Sequence, residues 1–514
     1  MDMKNIKIFC MLVVSALLLF SCFEDDGNYD YKDIYTHKIG IRYPVYGITV
    51  YQGDPVVFSP SFAFANQEQK ESGDTNMYKW SYHFDYLGCV CTERNMNMVV
   101  ADAEVGKTYE GIVMAEDTLT GAIYTQNISF RYKSRYTSGW IILSDDGGKS
   151  KLNLVRIQNE QWYTDKDIYR AIHNEELGTQ PVGLIGNRSG RNDVRILQKG
   201  AEGNVILDGV NYQKIGTIAD EFVGGKYPEG FVPKSMVVSG GNVAAIQGEN
   251  GEVFTKVFDS WYGTPYEFAL FANVPLQSNK QKLNVPFLLF ASQGSSTYNL
   301  MLYDETFHAF FMMYGASFYY AGKLYKLKAP ADWDGTNGPS PENLSNYKMV
   351  YCQMKNASYY TQDILAVLKN KTDGELYLYT FEYSSSSNNV TAKNIVYTRI
   401  PAVSAALMGE NTKYHALRNR PYMFFVSETD PSTLYYYDLR TNRHAPFKTF
   451  SGSKIVALES DYSNHTHIGV GLDNGEFFLL NVEDEVLVSG TEEDKVIYNT
   501  IVDGKVVDLF YKQY

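Results

Sequence analysis

The segment Asp373-Gly374-Glu375-Leu376-Tyr377 lies between two strand-like apolar runs, and close copies of it occur at residues 250–254 and 474–478. The copies read Asn250-Gly251-Glu252-Val253-Phe254 and Asn474-Gly475-Glu476-Phe477-Phe478. Asn-Gly and Asp-Gly dipeptides supply the positive φ angles that tight hairpins require. We therefore predict that these three segments are hairpin tips in an all-β region.

A weak repeat of an apolar strand, a polar turn and a second strand extends over the whole region beyond Tyr136. Its units open near seven positions: Trp140, Val182, Val243, Phe287, Ile364, Met423 and Ile468. Several of the intervals are close to the ~40 to 45 residues of a four-stranded propeller blade, and the longer ones leave room for inserted loops. The pattern predicts a seven-bladed β-propeller over residues 136–514. Six or eight blades stay open, as does an elongated series of β-sandwich modules.

A propeller has to close its ring, because an open end exposes unpaired backbone groups and an apolar sheet face. The C-terminal run Val506-Val507-Asp508-Leu509-Phe510-Tyr511 has the composition of a strand. We predict that it pairs with the first strand of the domain, near Trp140.

Residues 39–135 show short apolar runs separated by turn residues, as in a small immunoglobulin-like β-sandwich. The segments Tyr51-Gln52-Gly53-Asp54, Tyr78-Lys79-Trp80 and Gly106-Lys107-Thr108-Tyr109, followed by Asp117-Thr118-Leu119-Thr120-Gly121, resemble a module of the polycystic-kidney-disease-like (PKD-like) family. The resemblance implies that Trp80 is the core tryptophan. The run Gly139-Trp140-Ile141-Ile142-Leu143-Ser144 extends the resemblance into the next domain.

Residues 1–21 have the pattern of an export signal, with Lys4 and Lys7 ahead of an apolar run that is short for a membrane span. The run ends in Leu19-Phe20-Ser21-Cys22, which resembles the lipobox of bacterial lipoproteins, so Cys22 is predicted to be acylated. The acidic leader, residues 22–38, begins with a cluster that resembles a surface-export tag of Gram-negative gut-type bacteria. A secreted protein that is cleaved without acylation is the alternative.

Together these features resemble PKD-like surface lipoproteins that accompany outer-membrane nutrient importers. The resemblance implies a lipid anchor in the outer membrane, a position facing the cell exterior, and a partner importer of the TonB-dependent SusC/SusD type. It also implies a glycan or a peptide as the captured ligand. A propeller hydrolase or lyase acting on polysaccharide or peptide is the alternative function, and an adhesin or scaffold is a further one.

Composition restricts the partners and the redox chemistry. The formal net charge is −13 and no run of Lys and Arg is present, so nucleic acid is not an expected partner. After processing, the remaining cysteines are Cys89, Cys91 and Cys352. The first two are two residues apart in a strand-like run, which does not match redox or zinc motifs. Buried free thiols are the expected state, with a bridge to Cys352 as the alternative.

Aromatic side chains in long loops are the predicted ligand contacts, because rings bind sugars and peptide side chains at small entropic cost. For each of them, packing inside the protein is the competing interpretation. The candidates are Trp162, Tyr163, Trp261, Tyr262, Tyr266, Tyr319, Tyr320 and Trp333.

Signals for catalysis and for metals are weak. Nucleophile elbows, phosphate-binding glycine loops and H-E-x-x-H are absent from the sequence, so we expect no catalytic activity and no cofactor. Asp332 and Asp334 lie in a segment with the alternating oxygens of a calcium loop, although the segment departs from the EF-hand order. His465 and His467 would lie on one face of an extended segment, but a metal site would need a further ligand.

Overall fold

The computed structural model of the chain describes residues 38–40, 47–63, 78–118, 121–158, 160–186, 193–239, 241–259, 264–289, 299–315, 321–336, 338–357, 362–386, 389–461 and 465–512. The predicted signal, Cys22 and nearly all of the leader lie outside these residues. The chain divides into two compact units, Met1–Lys133 and Ser134–Tyr514. The prediction of an all-β protein is confirmed, since strands dominate both units.

Helices are short in the described part of the chain, and none of them is both long enough and apolar enough to cross a membrane. They are α1 (Ile168–His173), α2 (Ala402–Ala405) and α3 (Asp484–Ser489), with single 3-10 turns at Ile218–Glu221 and Tyr266–Phe268.

The first unit is built on a five-stranded sheet of order β2-β9-β8-β5-β6, in which β2 is parallel to β9 and the other pairs are antiparallel. Two further pairs, β1 with β4 and β3 with β7, accompany it. The strands are β1 (Lys38–Gly40), β2 (Ile48–Tyr51), β3 (Val56–Phe58), β4 (Ser61–Ala63), β5 (Tyr78–Phe84), β6 (Gly88–Cys91), β7 (Met96–Met98), β8 (Thr108–Asp117) and β9 (Ile123–Lys133).

Alternate residues of β5 form the centre of the core of this unit. Trp80, Tyr82 and Phe84 are buried, as the two-residue period of a strand requires, and Phe58 and Phe130 pack against Phe84. The prediction that Trp80 is a core tryptophan is confirmed.

The three cysteines in the part of the chain that the structure describes are free thiols, and two of them are not buried. Cys89 and Cys91 lie on β6, so their placement on a strand is confirmed, but Cys89 is exposed and Cys91 is only partly buried. The expectation of burial was wrong for both because β6 is the edge strand of its sheet and pairs only with β5. Cys352 is buried, as expected.

Within the described residues, the second unit contains seven antiparallel sheets of three or four strands and one two-stranded sheet. Sheet 1 begins with β10 (Gly139–Asp146), β11 (Lys149–Gln158) and β12 (Gln161–Asp165); sheet 2 is β13 (Pro181–Gly186), β14 (Asp193–Gln198), β15 (Val205–Asp208) and β16 (Lys214–Thr217); sheet 3 is β17 (Pro233–Val238), β18 (Val243–Gly248) and β19 (Val253–Val257). A two-residue pair follows, β20 (Gln277–Ser278) with β21 (Gln281–Lys282).

Sheets 4 to 7 each have four strands in chain order. Sheet 4 is β22 (Phe287–Leu289), β23 (Leu300–Asp304), β24 (Ala309–Met313) and β25 (Leu324–Lys326); sheet 5 is β26 (Tyr347–Ala357), β27 (Gln362–Asn370), β28 (Leu376–Ser386) and β29 (Asn389–Arg399); sheet 6 is β30 (Lys413–Ala416), β31 (Tyr422–Val426), β32 (Thr433–Asp438) and β33 (Arg443–Thr449); sheet 7 is β34 (Ile455–Ser460), β35 (His467–Leu472), β36 (Glu476–Asn481) and β37 (Val496–Ile501).

The last strand of the chain, β38 (Lys505–Lys512), completes sheet 1. It pairs antiparallel with β10, with Tyr511 opposite Trp140. The predicted pairing of the C-terminal strand with the start of this unit is therefore confirmed.

Seven buried apolar clusters join the sheets in sequence order within the described part of the unit. Six of them join consecutive sheets from sheet 1 to sheet 7. The seventh joins sheet 7 to sheet 1, where Phe477 and Leu479 pack with Trp140, Val506 and Leu509. Each sheet is thus covered by apolar contacts on both faces, which explains why its second strand is an almost continuous apolar run.

The three predicted hairpin tips are confirmed: they join β18 to β19, β27 to β28, and β35 to β36. In each tip the glycine alone has a positive φ, +79° at Gly251, +75° at Gly374 and +91° at Gly475. A Cβ atom at Gly475 would lie 2.4 Å from the carbonyl oxygen of Gly504, so this turn also needs glycine for close packing.

The seven predicted opening positions fall in seven different sheets, but most of them are not the first strands of those sheets. Two of the positions lie in first strands, Val182 and Phe287. Four others lie in second strands: Val243, Ile364, Met423 and Ile468. The second strand is the more apolar because sheets cover it on both faces. A search for apolar runs therefore finds the second strand in some sheets and the first strand in others. For this reason the intervals between the predicted opening positions are uneven.

Candidate functional site: a cavity lined by all seven sheets

A cavity of about 370 Å³ lies inside the second unit, and one strand from each of the seven sheets, together with Arg195 of β14, lines it. These strands are β38, β13, β17, β22, β26, β30 and β34. Successive strands of this set contact each other, and β38 contacts both β13 and β34. The side chains at the cavity therefore come from sequence positions between 184 and 510.

The wall formed by β13, β17 and β22 is mainly aliphatic. Ile185, Met236, Val238 and Leu289 are its buried members, and Lys234 adds a charged group. Pockets for organic ligands combine apolar lining of this kind with a few polar groups that set orientation.

The wall formed by β26 and β30 is polar and is held by side-chain hydrogen bonds. The side-chain amide of Gln353 donates to the carbonyl oxygen of Ala416 at 2.9 Å. The backbone N–H of Ala416 donates to the hydroxyl of Tyr351 at 3.0 Å and to the Oε1 of Gln353 at 3.1 Å. Burial raises the pKa of the Tyr351 hydroxyl, so it stays protonated and remains a donor at neutral pH.

Besides Lys234, three further charged groups line the cavity from β30, β34 and β38 or their ends. Arg418 follows β30, Glu459 lies in β34 and Asp508 lies in β38. Asp508 accepts a hydrogen bond from the backbone N–H of Leu184 at 2.8 Å, which links β38 to β13. Arg418 and Glu459 are only 4% and 6% exposed. Charged side chains are seldom buried this deeply, so these groups give the lining a strongly polar character.

Two further groups complete the lining. His415, on β30, is partly buried. Cys352 is buried, and burial raises the pKa of its thiol. A thiol with a raised pKa is a poor nucleophile at neutral pH, so Cys352 acts as a packing residue.

A buried ionic cluster lies behind the aliphatic wall. Arg195, on β14, forms ion pairs with Asp193 at 2.7 Å and Glu221 at 3.0 Å, and it donates to the hydroxyl of Tyr266 at 3.1 Å. Lys256 also pairs with Glu221, at 3.0 Å, and its ammonium lies 3.6 Å from the centre of the Tyr266 ring. This cluster connects sheets 2 and 3 and supports the wall that Arg195 helps to line.

The predicted aromatic contacts are not brought together at this cavity. Trp162 and Tyr163 lie in β12 rather than in a loop, and Trp162 stacks on Tyr498 with ring centres 5.7 Å apart. Tyr266 is buried in the ionic cluster, so its placement in an exposed loop was wrong. Trp333 lies in an irregular segment and packs partly against the core between sheets 4 and 5.

The other candidates, Trp261, Tyr262, Tyr319 and Tyr320, lie outside the described residues. Among the described candidates, Trp162, Tyr266 and Trp333 pack against other side chains, whereas Tyr163 is 39% exposed. Ligand contact by these residues stays a prediction.

The predicted metal candidates have ordinary polar surroundings. Asp334 accepts hydrogen bonds from the backbone N–H of Thr336 at 2.9 Å and from its hydroxyl at 2.7 Å. His465 has a φ of +55° and precedes β35, so the two histidines do not share an extended segment, while His467 lies 3.4 Å from Asp461. Among the residues that the structure describes, no group of three or more His, Cys, Asp or Glu side chains could hold a metal ion.

Sequence reasoning missed the cavity residues because they are single polar positions spread over seven strands. Two of them carry a signal in the sequence: Asp508 interrupts the apolar run from Val506 to Phe510, and Glu459 ends the run Ile455-Val456-Ala457-Leu458. A carboxylate within or at the end of an apolar strand is costly unless it has partners, so it indicates a site only when the strand is known to line a cavity.

Comparison with known proteins supports the assignment of the N-terminal part. The sequence model of the PKD-like family matches residues 22–181. The N-terminal region is PKD-like. The match covers residues 22–133 of the first unit and continues through β10, β11 and β12, whereas the sequence resemblance reached residues 139–144. No curated protein matches the chain.

Solved structures of low sequence identity also align with the chain. A quinonprotein alcohol dehydrogenase-like protein from Bacteroides thetaiotaomicron is 11% identical, with a TM-score of 0.35, over 93% of this chain and 99% of that one. A protein provisionally assigned as a 6-phosphogluconolactonase from Bacteroides fragilis is 12% identical, with a TM-score of 0.42, over 74% and 99%. A second protein with that provisional assignment, from Bacteroides uniformis, is 8% identical, with a TM-score of 0.43, over 73% and 99%.

Proposed function

We propose that this chain is a non-catalytic lipoprotein of the outer cell surface that captures a glycan or a peptide for a TonB-dependent importer of the SusC/SusD type. In this proposal Cys22 carries the lipid, the PKD-like unit is a spacer, and the second unit is a seven-bladed β-propeller. Two or more acyl chains would anchor the protein firmly, because each buried methylene contributes about 0.8 kcal/mol.

The propeller assignment is supported by the order of contacts in the second unit. The seven apolar clusters join the sheets in a cycle, and sheet 1 contains both the first strand and the last strand of the unit. Closure by the two chain ends is how a propeller avoids exposed sheet edges. Six of the seven sheets have four strands, and three strands of sheet 3 are described. This agrees with the four-stranded blade of a β-propeller.

The binding role rests on one observation, the 370 Å³ cavity with one aliphatic wall and one polar, charged wall. An adhesin or scaffold predicts a propeller centre filled by apolar side chains, which differs from the lining found here. The mixed lining supports a ligand that has both polar and apolar surfaces.

The importer proposal is tested by purification from solubilised outer membranes with a tagged chain. We expect the chain with Cys22 intact to recover a barrel and its lid protein, because the lipid keeps it beside them in the membrane. The matched control is Cys22→Ser, which removes the acylated thiol and should reduce recovery at least tenfold. Recovery of the intact lipoprotein alone would contradict the importer partnership, and mass spectrometry of its N-terminus reports acylation separately.

The cavity is tested with two variants that remove charge and keep size, Arg418→Gln and Glu459→Gln. We expect each to weaken binding of oligosaccharides or peptides identified by array screening by about tenfold or more, since a hydrogen bond to a charged group contributes about 1.5–3 kcal/mol. Isothermal titration calorimetry measures the loss. Lys454→Gln, at an exposed position just before β34, is the control and should bind as the wild type does. Unchanged affinity in both cavity variants would remove this cavity from the site.

An enzymatic role has one specific observation in its favour. Glu459, Asp508 and His415 all line the same cavity, which is the convergence of carboxylates and imidazole that a hydrolase or lyase needs. If polysaccharide or peptide breakdown is detected with the purified chain, Glu459→Gln should abolish it. If the protein only binds its ligand, neither the wild type nor Glu459→Gln gives a product in that assay.

A further inference from the structure

Sheet 5 is much longer than its neighbour, sheet 6. Its strands have 9 to 11 residues, whereas the strands of sheet 6 have 4 to 7. The face of sheet 5 that packs on sheet 6 through Leu365, Val367 and Leu378 therefore extends beyond it. On that extension Val396 is 53% exposed, although it is an aliphatic strand residue.

A second cavity, of about 360 Å³, lies at this extension. Leu378 and Thr380 of β28, together with Val396 of β29, line it, and Leu439 and Asn442 of the turn between β32 and β33 form the opposite side. It shares no lining residue with the seven-strand cavity.

Two irregularities in sheet 5 occur at the charged end of this cavity. The register of β26 against β27 shifts between Met354 and Asn356, so Lys355 is an extra residue. The register of β28 against β29 shifts between Thr380 and Glu382, and nearby Asn394 has a φ of +52°. Bulges of this kind redirect a side chain and occur often beside functional sites.

Three charged side chains line this end: Lys355, Asp363 and Glu382. Asp363 lies directly opposite Glu382 in the ladder between β27 and β28. Within the described part of the chain, the side chains of Lys355 and Asp363 form no hydrogen bond and no ion pair, although their opposite charges attract each other. Glu382 has one long contact, with Lys393 at 3.8 Å.

Burial dominates the electrostatic environment of these side chains. It lowers the pKa of the Lys355 ammonium in spite of the attraction of Asp363. Burial together with the neighbouring Glu382 raises the pKa of the Asp363 carboxyl in spite of the attraction of Lys355 and Lys393. Partly desolvated charges that form no ion pair or hydrogen bond are unfavourable. A ligand that supplies the missing ion pairs relieves this cost, and the relief favours its binding. A cation alone would leave Lys355 unsatisfied, and an anion alone would leave the two carboxylates unsatisfied.

We propose that this cavity binds a zwitterion with an aliphatic side chain, namely an amino acid or the end groups of a short peptide. The ligand carboxylate pairs with Lys355, its ammonium pairs with Asp363 and Glu382, and its side chain packs on Leu378 and Val396. The separation of Lys355 from the carboxylates, beyond ion-pair distance, leaves room for the ligand between them. This site is independent of the seven-strand cavity.

The test is calorimetric titration of the whole mature chain with L-leucine and with the dipeptide Leu-Leu. We expect at least one of them to bind. Two analogues each lack one charge, N-acetyl-L-leucine and L-leucinamide. They should bind at least tenfold more weakly than leucine or not at all. Tighter binding of leucine than of Leu-Leu identifies a free amino acid as the ligand, and the reverse order identifies a peptide. No binding of either probe at millimolar concentration would overturn the proposal.

Variants separate this site from general effects on the fold. Lys355→Met and Asp363→Asn should each weaken binding at least tenfold, whereas Lys369→Met, at an exposed position on the same strand as Asp363, should not. Val396→Trp fills the cavity from an exposed position, keeps every charge, and should abolish binding without a change in thermal stability. Equal binding by the wild type and all three cavity variants would overturn the proposal, and Arg418→Gln should leave this binding unchanged.

Discussion

Deletion of the C-terminal strand β38, residues 505–514, is expected to unfold the second unit. Val506, Leu509 and Phe510 of this strand are at most 4% exposed, and the strand supplies the partner of β10 together with contacts to β13 and β34. Without it, sheet 1 loses its inner edge and the apolar cluster between sheets 7 and 1 opens to water.

The point-mutant form of this experiment is Leu509→Ala with Phe510→Ala. Leu→Ala and Phe→Ala changes in cores each cost about 2–5 kcal/mol, so the pair should remove about 5 kcal/mol or more of unfolding free energy. That loss is comparable to the whole stability of many domains, which is about 5–15 kcal/mol. Urea titration followed by near-ultraviolet circular dichroism measures the change.

The control for this loss is Val488→Ala in α3, because Val488 is 78% exposed. It should change the unfolding free energy by no more than about 0.5 kcal/mol, as is usual for surface sites. The residues of the first unit have their own core and should retain a separate unfolding transition in the deleted chain. A second unit that unfolds at the wild-type temperature without β38 would contradict closure of the unit by the chain ends.

Much of this architecture could be predicted because its signals are local in sequence. The hairpin tips at Gly251, Gly374 and Gly475 need only a turn residue between apolar runs, and the closing strand needs only an apolar run at the C-terminus. The core role of Trp80 was likewise readable, since the flanking segments resemble a known module.

The sites could not be predicted, because they depend on which strands meet. The polar wall at Gln353 and Ala416 arises from strands about sixty residues apart in sequence, and the pairing of Asp363 with Glu382 depends on ladder register. The aromatic candidates show the reverse case. Trp162 and Tyr266 have the local composition of a binding loop, and only the structure shows that Trp162 packs on Tyr498 and Tyr266 on Lys256.

The substitution Glu221→Gln is expected to destabilise the second unit strongly, through electrostatics rather than through lost volume. One carboxylate oxygen of Glu221 accepts from both Arg195 and Lys256, each at 3.0 Å, and both cations have side chains only 1% exposed. Removing the negative charge leaves two buried cations with less compensation, and breaking buried ion pairs in this way costs about 3–5 kcal/mol. The loss is measured as the decrease in unfolding free energy in urea.

Glu410→Gln is a matched control because Glu410 also accepts from two lysines, Lys348 at 2.6 Å and Lys369 at 3.3 Å. All three of its groups are more than 40% exposed, so water replaces the lost contacts and the cost should be about 0–1 kcal/mol. The two carboxylates have the same number of cationic partners and differ mainly in burial. Equal effects of the two substitutions would contradict the conclusion that burial makes the Glu221 cluster a structural support of the seven-strand cavity. A larger effect at Glu221 that also reduces ligand binding would link this cluster to the wall that Arg195 lines.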